Sequence, residues 1–263
     1  MTCESSGNPA HVWEIGRPVF HFDSVGSTND VAKRLAAGGA PCGSIVLSNN
    51  QTAGKGRIGK QWHSENGGLY FSLLLEPPVE NSRMPLVTLL IGASVAKAIE
   101  AVTGTTPRLK WPNDILYRGR KLAGILVESR LKQKQASHLI AGIGINVSQE
   151  KRDFPEVLRE GVTSLKLICG QSVSKDALLK RCLEIIDEDY REMLACGFGH
   201  TAETWLNYAQ IKNRVVCIHT KNERKTGTLT HLSDDGTVHL MINRRETSIP
   251  ANQIERILDA ACC

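Results

Sequence analysis

A short segment rich in glycine and basic residues is the part of this sequence best suited to bind an anion. Residues 54–60 hold three glycines and three cations, and no acidic residue lies between Gln51 and Ser64. Glycine lets a backbone approach a ligand closely and adopt positive φ, while Lys and Arg pair with carboxylates and phosphates. The composition therefore predicts a loop that folds over an anion. A surface turn that is basic by chance is the alternative.

This segment resembles two nucleotide-binding motifs, but it satisfies the requirements of neither. Gly54, Gly56 and Gly59 satisfy the pattern G-x-G-x-x-G, but the polar residues 61–68 that follow cannot form the helix that this motif requires. The P-loop pattern G-x-x-x-x-G-K-[ST] fails because Gln61 stands where a hydroxyl group should bind Mg²⁺. The cationic loop remains a candidate anion site, although it belongs to neither motif.

A second set of residues that suits phosphate chemistry lies further along the chain. Lys110, Asn113 and Asp114 belong to the run Lys-Trp-Pro-Asn-Asp, and Lys121 follows it. A turn that presents an amide and a carboxylate together can hold a metal ion, and a lysine on the adjacent strand can meet a phosphate. An ordinary turn beside a strand-edge lysine is the alternative. Two such features in one domain favour a shared site.

Strands and helices along the first 211 residues must position these groups. Alternating or continuous apolar residues predict strands, and apolar residues at helical spacing predict helices. The predicted strands cover residues 19–23, 44–48, 69–75, 108–111, 115–117, 122–128 and 138–147, and the predicted helices cover residues 27–38, 85–104, 175–194 and 201–209. Ser27 and Asp30 have the spacing of a capping box at the first helix.

The pattern changes after Ile211. Four short apolar runs, separated by turn signals, predict strands at residues 215–219, 226–232, 237–242 and 247–249. These residues indicate a small all-β unit with a boundary near residue 212. Because no long linker precedes it, we expect the two parts to pack together.

The overall composition is that of a soluble globular protein. Of 263 residues, 41% are hydrophobic and 22% are charged, and the formal net charge is +5. This excess is too small to indicate a nucleic-acid partner by itself. The richest apolar stretch, residues 86–98, is too short and too polar to span a membrane, and no secretory signal is visible. We therefore expect a cytoplasmic protein whose eight scattered cysteines are reduced.

Taken together, these motifs resemble those of the biotin protein ligases, the enzymes that attach biotin to a lysine of biotin-dependent carboxylases. Five family motifs occur in the family's order across about residues 20–147. They are Ser27-Thr28-Asn29, Gln51 with the loop Gly54 to Trp62, Lys110 to Asp114, Lys121 to Leu126, and Gly142-Ile143-Gly144-Ile145-Asn146.

The resemblance implies an α+β fold in two domains. Residues 1–211 would form a catalytic domain of the kind shared by biotin ligases and class II aminoacyl-tRNA synthetases, with a mixed sheet and flanking helices. Residues 212–263 would form a small SH3-like β-barrel. Only a short segment precedes the first predicted strand, so the chain resembles the short form of the family. We expect no DNA-binding domain, no DNA partner and no repressor activity.

The reaction implied by the resemblance has two half-reactions. The biotin carboxylate would attack the α-phosphate of ATP, supplied with Mg²⁺, and a lysine of a biotin carboxyl carrier protein would then attack the biotinyl-5′-adenylate. This ligation releases AMP and diphosphate and needs no enzyme nucleophile, so positioned cations must stabilise the developing charge. Relatives are monomers or homodimers, and no segment here selects between these states.

Residue roles follow from position in the motifs. Polar groups of Ser27, Thr28, Asn29 and Gln51 would contact biotin. Lys55, Gly56 and Arg57 would fold over the carboxylate and phosphate, and Lys121 would bridge the two. Trp62 would pack against adenine, while Asn113, Asp114 and Asn146 would serve the nucleotide, with Asp114 a candidate Mg²⁺ contact. The residues assigned to catalysis are Arg57, Lys121 and Asp114.

Some of these residues have a purely structural alternative. Ser27 can be a helix cap, Trp62 a core residue, and Asn146 the end of a strand. Lys55, Ile58 and Lys60 also depart from the basic residues usual in the family, and lysines make point-charge contacts where arginines bind bidentately.

Two rival functions remain open from the sequence. Lipoate ligases and octanoyl transferases share the catalytic fold, and an octanoyl transferase would need a nucleophile such as Cys42 or Cys169. A non-enzymatic binding module is the other rival, since residues 212–263 carry a modest basic excess.

Overall fold

The computed structural model describes residues 14–75, 84–132 and 135–260, and their strands form two sheets. The first sheet has seven strands: β1 (Val19–Val25), β2 (Ile45–Gln51), β3 (Gly68–Leu75), β4 (Arg108–Lys110), β5 (Asp114–Tyr117), β6 (Arg120–Lys132) and β7 (Gln135–Asn146). Their order is β1-β2-β3-β7-β6-β5-β4. Strands β1 and β2 are parallel and every other pair is antiparallel, so the predicted mixed sheet is confirmed.

Both faces of this sheet are covered, which explains why all eight residues of β3 are buried. Phe71 and Leu73 face the main core, whereas Leu74 packs in a smaller cluster with helix α1 (Thr28–Ala37). Successive strand residues point to opposite faces, so a strand covered on both sides is apolar throughout.

The main core is built around helix α2 (Met84–Thr103), which packs against α4 (Lys175–Cys196) and α5 (Gly199–Ala209). Helix α2 is apolar on nearly every side and is long and apolar enough to cross a membrane by length and composition. It is longer than the predicted apolar stretch, but 67% of its most apolar window is buried within the protein. We therefore interpret α2 as a core helix. A short helix, α3 (Leu165–Cys169), was not predicted.

The second sheet has five strands: β8 (Val215–Thr220), β9 (Arg224–Leu232), β10 (Val238–Ile242), β11 (Arg245–Ile249) and β12 (Ile254–Asp259). They are antiparallel in the order β11-β10-β9-β8-β12. A small β unit after residue 212 was predicted, but not strand β12. The sheet also differs from the expected barrel, because β11 and β12 are its two edges and do not pair with each other.

The two sheets share one core. Val216, Ile218 and Leu240 of the second sheet belong to the same buried cluster as α2 and β3. At the junction, the indole Nε1 of Trp111 donates to the carbonyl oxygen of Ile254 at 3.2 Å. Trp111 also meets Trp205 of α5 edge to face, with ring centroids 5.4 Å apart. This contact ties the end of β4 to the start of β12.

We predict that Trp111→Phe lowers the free energy of unfolding by about 1–3 kcal/mol, because the buried carbonyl of Ile254 loses its donor. Urea unfolding of the purified chain measures this change. A difference below about 0.5 kcal/mol, the range of ordinary surface substitutions, would show that the indole hydrogen bond does not help hold the sheets together.

Candidate active site

A cavity of about 560 Å³ lies where helix α1, the basic loop, strands β5 to β7 and strand β12 meet. The structure brings every residue assigned to the site from sequence to the wall of this cavity: Ser27, Thr28, Asn29, Gln51, Lys55, Gly56, Arg57, Trp62, Asn113, Asp114, Lys121 and Asn146. Their separate roles remain predictions, but their placement around one space does not depend on those roles.

One end of the cavity is built by the start of helix α1. The side-chain oxygen of Gln51 accepts hydrogen bonds from the backbone N–H of Thr28 at 2.8 Å and from its hydroxyl at 3.1 Å. The amide nitrogen of Gln51 donates to the Ser64 hydroxyl at 2.8 Å. Gln51 therefore satisfies a free N–H group of the helix start and ties the end of the basic loop to it.

The predicted capping box at this helix is wrong. Ser27 occupies the N-cap position and is 3% exposed, but its side chain makes no capping hydrogen bond. Asp30 instead pairs with Lys55 of the loop, with their charged atoms 2.6 Å apart. Gln51 from β2 supplies the cap, and a contact this distant in sequence cannot be seen from local spacing.

A polar chain continues from α1 across the sheet. The Ser72 hydroxyl lies 2.7 Å from the Thr28 hydroxyl and donates to the side-chain oxygen of Asn29 at 2.6 Å. The amide nitrogen of Asn29 donates to Glu128 at 2.7 Å, and the other carboxylate oxygen of Glu128 lies 2.6 Å from the Lys33 ammonium. Asn29 is thus held at both ends, which fixes the orientation of its amide.

Glycines of strand β7 make room for the cavity. Residues 142, 144 and 146 alternate with Ile143 and Ile145, which belong to the core. A Cβ on Gly142 would lie 2.2 Å from Asn29 Oδ1, and one on Gly144 would lie 2.6 Å from Trp62 Nε1. The motif Gly-x-Gly-x-Asn therefore keeps one face of β7 bare so that Asn29 and Trp62 can lie against its backbone.

The basic loop is a tight hairpin. Residues Lys55 and Gln61 form an antiparallel bridge, and the N–H of Gly56 donates to the carbonyl oxygen of Lys60 at 2.7 Å. At its tip Ile58 has φ 54° and ψ 48°, the left-handed region, and is 88% exposed. A β-branched residue is strained in this conformation.

Arg57 is half-buried and lines the cavity. Desolvation by burial lowers the pKa of its guanidinium, while the carboxylates of Asp114 and Glu255 oppose this shift. Arginine has so high an ordinary pKa that the group stays charged. A partly desolvated cation beside an open cavity interacts more strongly with an anion than one in bulk water does.

Lys121, which was predicted to meet a phosphate, pairs with a carboxylate of the protein in this structure. Its ammonium lies 2.6 Å from Asp114 Oδ1 and 5.1 Å from the centre of the Trp62 ring. Its backbone is fixed as well, since its N–H donates to Gly161 and its carbonyl oxygen accepts from Thr163. Asp114 therefore compensates the lysine charge, and an incoming anion must compete with this carboxylate.

Two asparagines of the predicted nucleotide set hold backbone groups. The amide nitrogen of Asn113 donates to the carbonyl oxygen of Ile125 at 2.9 Å. The amide nitrogen of Asn146, a residue that is 3% exposed, donates to the carbonyl oxygen of Thr163 at 2.9 Å. Asn146 therefore satisfies a backbone group at the end of a strand, as its structural alternative proposed. Asn113 and Asn146 also both line the cavity.

Strand β12 supplies three lining residues that were not predicted: Glu255, Arg256 and Leu258. The signal for this strand is weak, since only Ile254 and Ile257 of its six residues are buried and they are three positions apart. Period-two alternation, the usual sign of a strand, is therefore absent.

The chemistry available in this cavity is charge stabilisation. Its described walls hold five cations (Lys55, Arg57, Lys60, Lys110 and Lys121) and a sixth from β12, and no cysteine lies among the lining residues. Burial also raises the pKa of the Cys182 thiol to about 12. An arrangement of this kind suits a reaction in which a bound anion acquires further negative charge and no covalent enzyme intermediate is needed.

Comparisons with known proteins identify relatives of this chain. The sequence profile of the Biotin/lipoate A/B protein ligase family matches residues 21–146. The chain is 34% identical over 242 residues to the bifunctional ligase/repressor BirA of Bacillus subtilis, covering 92% of this chain and 74% of that protein. It is also 34% identical over 238 residues to the biotin–(acetyl-CoA-carboxylase) ligase of Mycobacterium tuberculosis, covering 87% of this chain and 85% of that protein.

A solved structure is similar over the same extent. The chain aligns with a biotin protein ligase from Aquifex aeolicus in complex with biotin and ATP, with a TM-score of 0.78 and 29% identity. The alignment covers 93% of this chain and 100% of the other.

We predict that Gly144→Ala destabilises the protein by about 1–3 kcal/mol, the cost of overpacking, because the new methyl group overlaps the Trp62 indole. Gly26→Ala is the matched control, since a Cβ there has no neighbour within 4 Å. Chemical denaturation of the two variants checks the difference. Equal stability of both would show that the indole does not depend on the bare face of β7.

Proposed function

The chain belongs to the biotin protein ligase family, and from this premise we propose that it attaches biotin to a carrier-protein lysine in an ATP-dependent reaction. The observation that carries the proposal is the convergence of Lys55, Arg57 and Lys121 on one cavity that is also lined by polar side chains at the start of α1. A molecule with a polar head and a carboxylate tail, placed beside a nucleotide phosphate, fits this distribution of charge.

Positioning and charge stabilisation supply the catalysis in this proposal. The biotin carboxylate attacks the α-phosphate of ATP, a bond to pyrophosphate breaks, and biotinyl-adenylate forms. The carrier lysine then attacks the acyl carbon and AMP leaves. Both steps build negative charge on oxygen atoms, and Arg57 and Lys121 lie beside the cavity with their charges only partly compensated by Asp114 and Glu255.

The basic loop protects the intermediate in this scheme. A mixed anhydride hydrolyses readily, so water must be kept from it until the carrier lysine arrives. The loop reaches the cavity through Lys55, Gly56 and Arg57, and the Lys55–Asp30 ion pair anchors it to α1. Closure of this loop would exclude water and hold the adenylate.

The polar end of the cavity would receive the ureido head of biotin, whose carbonyl and N–H groups need partners of both kinds. Ser27, Thr28, Asn29 and Gln51 line this end. Hydrogen bonds already join Thr28, Gln51 and Asn29 to their neighbours, so biotin would use the bonding capacity that remains on groups held in fixed orientations. A rigid polar site discriminates strongly against ligands that cannot satisfy its groups.

The nucleotide would lie toward Trp62, Asn113, Asp114 and Asn146. The Trp62 Nε1 atom is buried without a hydrogen-bond partner, and its indole offers a flat surface to an adenine ring. Magnesium would arrive with the ATP phosphates, because the described cavity wall offers only the carboxylates of Asp114 and Glu255 and no cluster of three ligands. The bound ion would neutralise phosphate charge.

We also propose the domain division at residues 1–211 and 212–263, with a carrier domain of acetyl-CoA carboxylase or a related carboxylase as protein partner and the cytoplasm as location. Helix α5 ends at Ala209 and β8 begins at Val215, which supports a boundary between them. Strand β12 supplies Glu255 and Arg256 to the cavity, so the smaller domain would take part in the site.

Exchange of labelled pyrophosphate into ATP, measured in parallel with biotin, lipoate and octanoate, tests the function. Exchange with biotin alone supports it. Exchange with lipoate or octanoate alone indicates the related acyl ligases, and no exchange with any acid indicates a binding module. Transfer of biotin to an isolated carrier domain then tests the second half-reaction.

We predict that Arg57→Gly lets biotinyl-adenylate escape, because the loop loses the guanidinium that retains its phosphate. Labelling of bystander lysines should rise while transfer to the carrier falls, as measured by mass spectrometry of a mixture of carrier and albumin. Arg57→Lys keeps the charge, so its labelling of bystander lysines should be intermediate between that of the wild-type protein and that of Arg57→Gly. Unchanged carrier selectivity in the glycine variant would contradict the role.

We predict that Lys121→Ala lowers kcat/KM for adenylate formation by about 10²–10³, as loss of one transition-state donor does. Because Lys121 pairs with Asp114, the single change also leaves that carboxylate unpaired. The double variant Lys121→Ala with Asp114→Asn removes this effect, and it should be slower than Asp114→Asn alone, which measures the loss of the carboxylate. Recovery of wild-type rates in the double variant would assign Lys121 only to neutralising Asp114.

A further inference from the structure

Three side chains that suit a transition metal lie together on the outer face of the second sheet, away from the cavity. They are His231 on β9, His239 on β10 and Glu246 on β11. One ligand atom from each lies within 4.8 Å of the others. The cavity is lined instead by β12, which is at the opposite edge of the sheet from β11.

Strand register places these groups on one face. His239 lies opposite His231 on one side and opposite Ser248 on the other. Its neighbours Val238 and Leu240 are buried, so the side chain of His239 points outward. Glu246 lies two residues from Ser248 and therefore on the same face of β11.

A β-bulge completes the arrangement. The pairing of β9 with β10 shifts between His239 and Leu240, because Leu240 lies opposite Leu229 and Thr230 is the extra residue. Leu229 and Leu232 are both buried, and the two residues between them are turned outward. The bulge thus brings His231 directly beside His239, with ring centroids 4.0 Å apart.

Hydrogen bonds around His231 leave one ring nitrogen able to bind a metal. The Thr230 hydroxyl donates to the carbonyl oxygen of His239 at 3.1 Å. A hydroxyl has a single hydrogen, so Thr230 can only accept from His231 Nδ1, 3.2 Å away. The proton of His231 is therefore on Nδ1, and Nε2 carries the lone pair.

Both ring nitrogens of His239 also have polar neighbours. Nδ1 faces the carboxylate of Glu246 at 3.5 Å and the Ser248 hydroxyl at 3.3 Å, and Ser233 lies 2.5 Å from Nε2. Because a carboxylate only accepts, it favours the proton on Nδ1 in the metal-free protein. A metal bound at Nδ1 would leave the proton on Nε2, where Ser233 can accept it. Outer hydrogen bonds that fix the tautomer and direction of an imidazole are typical of metal-binding histidines.

We propose that His231, His239 and Glu246 form a binding site for a divalent transition metal of the zinc class. Two imidazole nitrogens and one carboxylate oxygen are a ligand set that Zn²⁺ uses, with water as the fourth ligand. Zinc bonds of about 2.0–2.1 Å place tetrahedral ligand atoms roughly 3.3 Å apart. The ring planes are only 10° apart, and an imidazole binds a metal in its own plane. The exposed side chain of His231 must therefore turn out of the stack so that both lone pairs point at the same ion.

Binding would join three neighbouring strands, including the edge strand β11. Since a metal that binds only the folded state stabilises it by mass action, Zn²⁺ should raise the melting temperature. The proposed site is independent of the ligase reaction, because none of its ligands lines the cavity.

Titration calorimetry of the full, untagged chain with ZnCl₂ tests the proposal. We expect one bound equivalent, a higher melting temperature, and an affinity that falls by at least about tenfold in His239→Gln, since loss of even an outer-shell partner costs about 10–100-fold. Glu246→Gln should weaken binding as well. His21→Gln is the matched control, because His21 lies on β1 and contacts Asn49.

Two results would overturn the site: wild-type Zn²⁺ binding in His239→Gln, or an equal loss in His21→Gln. Cobalt substitution adds a readout that identifies the ligands. Visible d–d bands without thiolate charge transfer are expected for nitrogen and oxygen ligands, whereas a thiolate band would place the metal on cysteine. Circular dichroism of His239→Gln shows that any loss of binding occurs in a folded chain.

Discussion

The bare face of strand β7 is the constraint on which the rest of the site depends. This strand is fourth of the seven in the first sheet, where a side chain on each residue would normally fill the space above it. Gly142 and Gly144 leave that space to Asn29 and Trp62, which could not occupy their positions beside even a methyl group. Helix α1, the loop and β12 then close the cavity around the gap.

Three of the six cations in the described cavity wall have acidic partners within the protein. Lys55 pairs with Asp30, Lys121 pairs with Asp114, and Arg57 lies under the influence of Asp114 and Glu255. A half-buried cation without compensation would cost free energy in the empty protein. At these three cations an anionic ligand must compete with a carboxylate of the protein, which favours ligands whose charge is concentrated on phosphate and carboxylate oxygens.

Local patterns in the sequence predicted most strands and the main helices, because these elements depend on neighbouring residues. The mixed sheet and most residues assigned to the site were implied by the resemblance of the motifs to a known family. Contacts between distant residues were not predictable in the same way. Gln51 caps α1 from another strand, Lys121 finds Asp114 across a hairpin, and β12 has too few buried residues to show a period of two. The expected barrel also proved to be an open sheet, since closure depends on strand geometry that turn signals do not encode.

The tip of the basic loop has a thermodynamic consequence. Ile58 holds a left-handed backbone conformation at φ 54° while 88% exposed, so no packing compensates a strain of roughly 1–2 kcal/mol. That strain raises the free energy of the conformation seen here relative to any alternative that relaxes Ile58. In a pre-equilibrium between two loop conformations, the same amount shifts the population ratio by a factor of about 5–30. A rearrangement of the loop that relaxes Ile58 therefore needs less ligand-binding energy than it would without this strain.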